Sequence, residues 1–335
     1  MRENEKIKLM AKKALPIGKN LRVFAGSGHP ALADSITKEL GVPLGKMLLS
    51  RFADGEIRVQ VDESARGMDV FLVQPTCMPV NDNLMELLIL LDAFRRASAQ
   101  RITVVLPYYG YARQDKKIKP REPITARLVA DLISESGANR VVCVDLHAKQ
   151  IQGFFRLPVD HLYAGPILGA YLKEVGLVGG ETCVVSPDEG GVNRARTLAE
   201  TLQTPLAIIS KRRPAPNKVE ITEIIGDVFG KNCIIIDDMI DTGGSIVSGA
   251  QALIARGAAS VTACCTHAVL SEPAIDRISA SPIERVILTD TIPFRYANHP
   301  AAGKFTVLSV AELLADAIRR IHCDDSISEL FEKQW

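Results

Sequence analysis

Ten short runs rich in valine and isoleucine recur along this chain, at 21–25, 70–74, 102–106, 141–145, 183–186, 206–210, 233–237, 261–265, 285–288 and 305–309. Between them lie longer segments with helical spacing, and this alternation is the strongest constraint on the fold. In 83–97, Leu84, Leu87, Leu88, Leu91 and Phe94 share one helical face, and in 310–321 Val310, Leu313, Leu314, Ala317, Ile318 and Ile321 do the same. Strands that are apolar on both faces and separated by helices predict parallel sheets covered on both sides. At 335 residues the chain is too long for one ordinary core. Ten strands suit two doubly wound α/β domains better than one barrel. Leu157-Pro158 and Gly165-Pro166 interrupt the pattern. The expected division is therefore a disordered N-terminal extension at 1–20, one unit at 21–165 and a second at 166–335.

In open α/β sheets, ligands bind beyond the carboxyl ends of the strands. Polar residues follow the apolar runs at five places. Arg113 and Gln114 come after 102–106, His147 after 141–145, and Asp188 with Gly190-Gly191 after 183–186. Lys211-Arg212-Arg213 follow 206–210, and Asp237-Asp238 with Asp241-Thr242-Gly243-Gly244-Ser245 close 233–237. The last segment is the most specific. Its glycines let backbone N–H groups close around an anion, and the helix that follows offers free N–H groups and a positive dipole end. The paired acids repel phosphate and suit instead the vicinal hydroxyls of a ribose. An ordinary turn with a helix cap at Ser245 is the competing account. The segment lacks the Gly-Lys-Ser/Thr of a Walker loop, so it is a different phosphate device. Taken alone, His147 is more often a satisfied hydrogen-bonding residue, Asp188 a helix cap and Lys211–Arg213 a solvated run.

A formal net charge of +1 gives no global basic surplus for nucleic acid, although basic residues cluster at 113–121 and 211–218. Seven cysteines, with no CxxC pair and several inside apolar runs, predict buried thiols in a reducing compartment. No apolar stretch reaches the roughly 18 residues that a membrane span needs. Residues 1–20 carry six Lys or Arg but no signal-peptide core. A cytoplasmic protein is expected.

Together these motifs resemble ribose-phosphate diphosphokinase (phosphoribosyl diphosphate synthase) of the phosphate-activated class. The segments that carry the resemblance are Arg51 to Ile57, Asn81 to Leu88, Tyr111 to Lys117, Asp145 to Ala148 with Gln150 to Phe155, Ser186-Pro187-Asp188, Lys211 to Pro214 and Asp237 to Ser245, in order over about 20–335. The resemblance implies two phosphoribosyltransferase-type domains, and transfer of the β,γ-diphosphoryl group of ATP to the C1 hydroxyl of ribose 5-phosphate, with AMP leaving. It implies that Phe52, Asp54, Gly55 and Glu56 bind adenine from a neighbouring subunit, that Arg113, Gln114 and His147 hold ATP, and that His147 and Asp188 hold Mg²⁺. Lys211 and Arg213 would be catalytic on a mobile loop, with Arg213 also on the sugar phosphate. Asp237 and Asp238 would take the ribose hydroxyls, and Asp241, Thr242, Gly243, Gly244 and Ser245 the 5-phosphate. Ser64, Arg66, Ser326 and Ser328 match a regulatory anion site, which implies phosphate activation, ADP inhibition and a hexamer. Ile118 and Glu189 depart from the family pattern. The nearest enzymatic rival is a phosphoribosyltransferase, which shares the Asp-Asp…Asp-Thr-Gly-Gly segment but not the separate preceding domain with Arg113, Gln114 and His147. A silent regulatory paralogue is the second, and Lys211, Arg213, His147 and Asp188 argue against it.

Overall fold

The computed structural model describes residues 18–215 and 218–331, with side chains throughout except at 211–222 and 331. The expectation about the extension therefore lies almost wholly outside the described residues, and the side chains of Lys211 and Arg213 lie outside them too.

In chain order the first half contains β1 (Leu21–Ala25), α1 (Pro30–Leu40), β2 (Met47–Arg51), β3 (Ile57–Val61), β4 (Asp69–Val73), α2 (Val80–Arg96), β5 (Arg101–Leu106), α3 (Thr125–Ser136), β6 (Arg140–Val144) and β7 (Val159–Leu162). The second contains α4 (Gly165–Glu174), β8 (Thr182–Ser186), α5 (Val192–Leu202), β9 (Leu206–Ala215), β10 (Lys218–Ile225), β11 (Asn232–Ile240), α6 (Gly244–Ala255), β12 (Ser260–Ala268), α7 (Ala274–Ser279), β13 (Arg285–Thr289), β14 (Phe305–Leu308), α8 (Ala311–His322) and α9 (Ser328–Phe331).

The first sheet is wholly parallel in the order β1-β4-β5-β6-β7. The second runs β10-β9-β8-β11-β12-β13-β14, parallel except where β10 turns back on β9. In the second sheet the order reverses between β8 and β11. Chains leaving those two strands turn to opposite faces, which opens a crevice between their ends. All ten expected runs coincide with strands, and only their last residues at 74, 145 and 309 fall one position beyond the strand end.

Four strands were not expected. β2 and β3 make a separate antiparallel hairpin, and β10 extends the second sheet. β7 hides two polar side chains: Asp160 pairs with Arg140 at 2.6 Å, and His161 Nε2 accepts the Leu146 N–H at 2.8 Å. The buried face of α2 also differs from the apolar stripe. It includes Asn83 and Glu86, because the Glu86 carboxylate accepts the Ser27 N–H at 2.6 Å, the Ser27 hydroxyl at 2.7 Å and the Gln74 amide at 2.8 Å. A buried acid is tolerated when its oxygens are satisfied in this way.

The 165/166 division falls between the two sheets, yet the end of the chain returns across it. α8 buries Leu314, Ala317, Ile318 and Ile321 in the same apolar cluster as α1 and strands β1 and β4 to β6 of the first half. A smaller cluster of Cys77, Tyr108 and Ile292, with Met239 and Val269 packed on it, joins the halves beside the crevice. Tyr108 meets His267 edge-on at 5.1 Å between ring centroids.

Candidate active site

β11 delivers two adjacent carboxylates. Period-2 alternation would send neighbouring side chains to opposite faces, but here both reach the same cation. Arg194 Nη1 stands 3.5 Å from Asp237 Oδ1 and 3.6 Å from Asp238 Oδ1. Asp237 Oδ1 also accepts the Asp238 N–H at 2.9 Å. From the other half, His147 Nδ1 lies 2.7 Å from Asp238 Oδ2. An ionised carboxylate can only accept that bond, so Nδ1 carries the proton and Nε2 of the neutral ring is left with its lone pair toward a ligand.

These contacts split the titration of the pair. Desolvation and repulsion from Asp238 push the Asp237 carboxyl well above the usual carboxylate range. Desolvation works against ionised Asp238 as well, but the His147 hydrogen bond and the Arg194 charge overcome it and hold Asp238 far below that range. The hydrogen bond to Asp238 in turn raises His147. One acid therefore carries the pair's negative charge, and the other is able to hold a proton.

The segment after β11 is built for an anion. Gly243 takes a left-handed φ of +72° and stands at the N-cap of α6 with no side-chain cap. Among the described residues nothing accepts from the first N–H groups of α6, which stand next to the positive end of its dipole. Arg277 on α7 donates to the Thr242 carbonyl at 3.1 Å and fixes the turn from outside. Arg113, reaching over from the first half, pairs with Asp241 Oδ2 at 2.5 Å. Burial works against ionised Asp241, and hydrogen bonds from Ser271 and Arg113 outweigh it, so this carboxyl sits below its ordinary range.

At the other lip of the crevice, Asp188 closes a turn after β8. Its Oδ1 accepts the Gly191 N–H at 3.0 Å, while the Ser186 hydroxyl donates to its carbonyl at 2.6 Å. Repulsion from its carboxylate adds, as the smallest contribution, to the rise of the Asp237 carboxyl. Among the described residues no cluster of three or more His, Cys, Asp and Glu could hold a metal by itself. His147 Nε2 and the second oxygen of Asp188 are the ring and carboxylate atoms at the crevice with lone pairs that a divalent cation could use, a cation with few protein ligands completing its shell with water and substrate phosphates.

The junction below the site is fixed by Asp145, a non-glycine residue at φ +40°. Its Oδ2 accepts the Ala164 N–H at 3.0 Å and the Thr266 hydroxyl at 2.6 Å, and its carbonyl accepts from His267 Nε2 at 3.0 Å. These bonds tie the end of β6, one residue before Leu146-His147, to β12.

The other expected site residues are less connected. Gln114 Oε1 accepts the Thr125 hydroxyl at 2.5 Å. Phe52, Asp54, Gly55 and Glu56 form the tip of the β2–β3 hairpin, where Gly55 takes φ +96° and Phe52 is 51% exposed. The tip's described hydrogen bonds stay within the hairpin, and Arg51 reaches Asp82 on α2. No described contact brings this tip to the crevice of its own chain. Ser326 and Ser328 meet at 3.0 Å between hydroxyls, while Ser64 and Arg66 are exposed with no described contact to them. Ile118 is 80% exposed at the surface.

Sequence reasoning missed Arg194, Arg277, Asp145, Thr266 and His267. For Arg194 a signal existed. It lies in the first turn of α5, where the helix dipole disfavours a cation, so a carboxylate partner was to be expected.

Two parallel sheets, an anion cradle at a strand-order reversal and paired acids beside it define a phosphoribosyltransferase-type enzyme that handles a sugar phosphate. Comparison with known proteins narrows the class. The N-terminal domain of ribose phosphate pyrophosphokinase matches residues 21–137, and the phosphoribosyl synthetase-associated domain matches 184–332. Ribose-phosphate pyrophosphokinase of Clostridium perfringens is 56% identical over 315 residues, covering 94% of this chain and 98% of the relative. That of Synechococcus elongatus is 55% identical over 320 residues, covering 95% and 96%. The crystal structure of phosphoribosylpyrophosphate synthetase from Mycobacterium smegmatis superposes with a TM-score of 0.85 at 48% identity, over 91% of this chain and 100% of that one. The chain belongs to the ribose-phosphate pyrophosphokinase family.

Proposed function

We propose that this crevice brings ATP and ribose 5-phosphate face to face. The sugar 5-phosphate sits on the free N–H groups at the start of α6, held by Asp241, Thr242, Gly243, Gly244 and Ser245. Its vicinal hydroxyls face Asp237 and Asp238. ATP is held by Arg113, Gln114 and His147, with Phe52, Asp54, Gly55 and Glu56 closing on adenine from a neighbouring subunit. The observation that carries this reading is the pairing of first-half residues with the cradle: His147 with Asp238 at 2.7 Å and Arg113 with Asp241 at 2.5 Å. Groups suited to a nucleotide phosphate and groups suited to a sugar phosphate stand in one crevice.

The C1 hydroxyl oxygen bonds to the β-phosphorus of ATP as the bond from that phosphorus to the oxygen bridging it to the α-phosphorus breaks, and the hydroxyl proton passes to solvent. The diphosphoryl group passes to the sugar and AMP leaves. Displacement at phosphorus depends on alignment and on stabilising negative charge. Mg²⁺, held by His147 and Asp188, would supply charge neutralisation across the phosphates. Lys211 and Arg213 are the cationic residues assigned to catalysis, with Arg213 also assigned to binding the sugar phosphate. Asp237, whose environment favours protonation, is the acid of the pair able to donate to a sugar oxygen, while ionised Asp238 accepts from a sugar hydroxyl and orients His147. Ser64, Arg66, Ser326 and Ser328 form a site for phosphate and ADP as effectors in a hexamer, and the protein works in the cytoplasm.

The test is a product assay. The protein with ATP, ribose 5-phosphate and Mg²⁺ is expected to give AMP and phosphoribosyl diphosphate in equal amounts. ADP in place of AMP would assign an ordinary kinase, and consumption of phosphoribosyl diphosphate with a free base would assign a phosphoribosyltransferase.

A further inference from the structure

The turn after β11 bears one charged side chain, and it is an acid. Asp241-Thr242-Gly243-Gly244-Ser245 contains no Lys or Arg, and the charge of Asp241 is taken up by Arg113. Among the described residues, the N–H groups of Thr242, Gly243, Gly244, Ser245 and Ile246 meet no acceptor. An anion seated there meets backbone donors with no cation on the residues that bear them. A lysine inside the loop, as in a Walker segment, is absent.

A guanidinium stands behind the turn instead. α7 has only six residues, but it is fixed at both ends. The Ala274 N–H donates to the Ser271 carbonyl at 2.9 Å. At the C-terminal end, Lys304 Nζ donates to the Ser279 carbonyl at 3.0 Å and to the Ile283 carbonyl at 2.9 Å. Ala274 and Ile278 are fully buried and pack under the turn. A Cβ built on Gly243 would lie 3.4 Å from the Ala274 carbonyl oxygen and 3.5 Å from Ile278 Cγ1. Arg277, on the same short helix, donates from Nη1 to the Thr242 carbonyl at 3.1 Å. The same nitrogen would lie 3.7 Å from a Cβ built on Gly244. Among the described residues that bond is the one polar contact of the guanidinium, and neighbouring Asp276 is turned to His299 at 3.4 Å. A cation with no carboxylate partner is thus held against the backbone of an anion cradle.

The peptide between Thr242 and Gly243 links the two sides. A bond that does not precede proline is trans, so its N–H points opposite to its C=O. A carbonyl held on the α7 side sends the Gly243 N–H away from α7, into the cradle. A cation on the oxygen also polarises the planar unit and strengthens its N–H as a donor.

We propose that Arg277 is a positioning residue for the sugar phosphate, aiming and polarising the Thr242–Gly243 peptide so that its N–H takes the 5-phosphate. The assignment rests on the crevice reading above and adds to it a residue from outside the glycine turn. It acts through the backbone and leaves the nucleotide side untouched.

Titration calorimetry of the full chain with ribose 5-phosphate alone, and steady-state kinetics with both substrates, test this. Arg277→Gln keeps an N–H for the Thr242 carbonyl and removes the charge, whereas Arg277→Lys keeps the charge. In Arg277→Gln the Kd and KM for ribose 5-phosphate should rise about tenfold, the scale of one charge-assisted contact. The kcat and the KM for ATP should stay within about twofold, and Arg277→Lys should bring the sugar-phosphate values back to within about threefold of the original. Arg277 is exposed, so both variants should fold, and an unchanged thermal midpoint checks it. Unchanged affinity for ribose 5-phosphate in Arg277→Gln would overturn the proposal. So would equal losses in the two variants, which would remove charge as the cause, or a parallel rise in the KM for ATP, which would mean a general loosening of the crevice. If the unaltered chain binds no ribose 5-phosphate, the crevice reading itself falls, and this assignment with it.

Discussion

The two sheets are made of the same kind of strand, yet only one of them opens a crevice. In the first, the strand order runs steadily from β1 to β7, and the residues past its strand ends, Arg113, Asp145 and His147, bond across to the second half. In the second, the order reverses between β8 and β11, and Asp188, Arg194, Asp237 and Asp238 collect at the reversal. Two histidines register the difference. His161, on β7, is held by burial at a pKa of about 4 and accepts a backbone N–H in a closed interior. His147, three residues past β6, reaches across to Asp238 and is raised by it. The same side chain is kept neutral as a structural acceptor in one half and is hydrogen-bonded to a carboxylate across the crevice in the other. The monotonic sheet thus supplies residues that reach over, while the reversed sheet supplies the cradle they reach toward.

Breaking the reversal-point cluster should have the largest effect. Asp238→Ala removes the partner of His147 and one of the two acids of Arg194 together. A fall in kcat/KM of about 10²–10³-fold is expected, the scale for losing one preorganised electrostatic partner, with the thermal midpoint changed by only a few degrees. Steady-state kinetics with both substrates checks it. A loss under tenfold would place the chemistry elsewhere than beside Asp238.

The next effect belongs to the closed half. The folded-state pKa of His161, about 4, lies below the ordinary value of 6.5. The unfolded chain therefore binds the proton more readily, and stability present above pH 6.5 is lost as pH falls from 6.5 toward 4. The linked loss by pH 4.5 is about 2–3 kcal/mol. Urea unfolding at pH 7.5 and 4.5 should show this difference shrinking by that amount in His161→Gln. An equal acid loss in both proteins would mean that His161 is not held neutral.

The contrast also explains what could be read from the sequence. Strand positions and the glycine segment after β11 were legible because apolar runs and Asp-Thr-Gly-Gly-Ser are local patterns. β7 was not, since Asp160 and His161 make Val159–Leu162 look polar, and only pairing with Arg140 and the Leu146 N–H lets them be buried. The Glu86 face of α2 escaped for the same reason. The β2–β3 hairpin mixes half-buried and exposed residues and makes its own small sheet, so no long apolar run marks it. Asp145 and Thr266 are 121 positions apart, and no local pattern joins residues so distant. α8 reads correctly as a helix, but nothing local says that it packs on the opposite half of the molecule.

A smaller effect is expected at that junction. Thr266→Val keeps the side-chain shape but removes the hydroxyl that Asp145 Oδ2 accepts at 2.6 Å in a buried setting. Leaving that carboxylate one donor short should cost about 1–3 kcal/mol, read as a lower denaturation midpoint. If the junction only braces the halves, the KM for ribose 5-phosphate holds. A rise in the KM for ATP alone would show that the Asp145 bonds set where His147 stands.

The smallest effect separates reach from cradle most sharply. The Arg113–Asp241 pair crosses between the halves, but Arg113 is 51% exposed, and an exposed pair contributes only about 0–1 kcal/mol to stability. Arg113→Ala should therefore leave the thermal midpoint nearly unchanged. If Arg113 serves the nucleotide, the KM for ATP rises about tenfold, the scale of one charge-assisted contact at about 1.5 kcal/mol, and the KM for ribose 5-phosphate stays within twofold. The opposite pattern would mean that Arg113 acts by holding Asp241 for the sugar phosphate, which would make it a member of the cradle that happens to be carried on the other sheet.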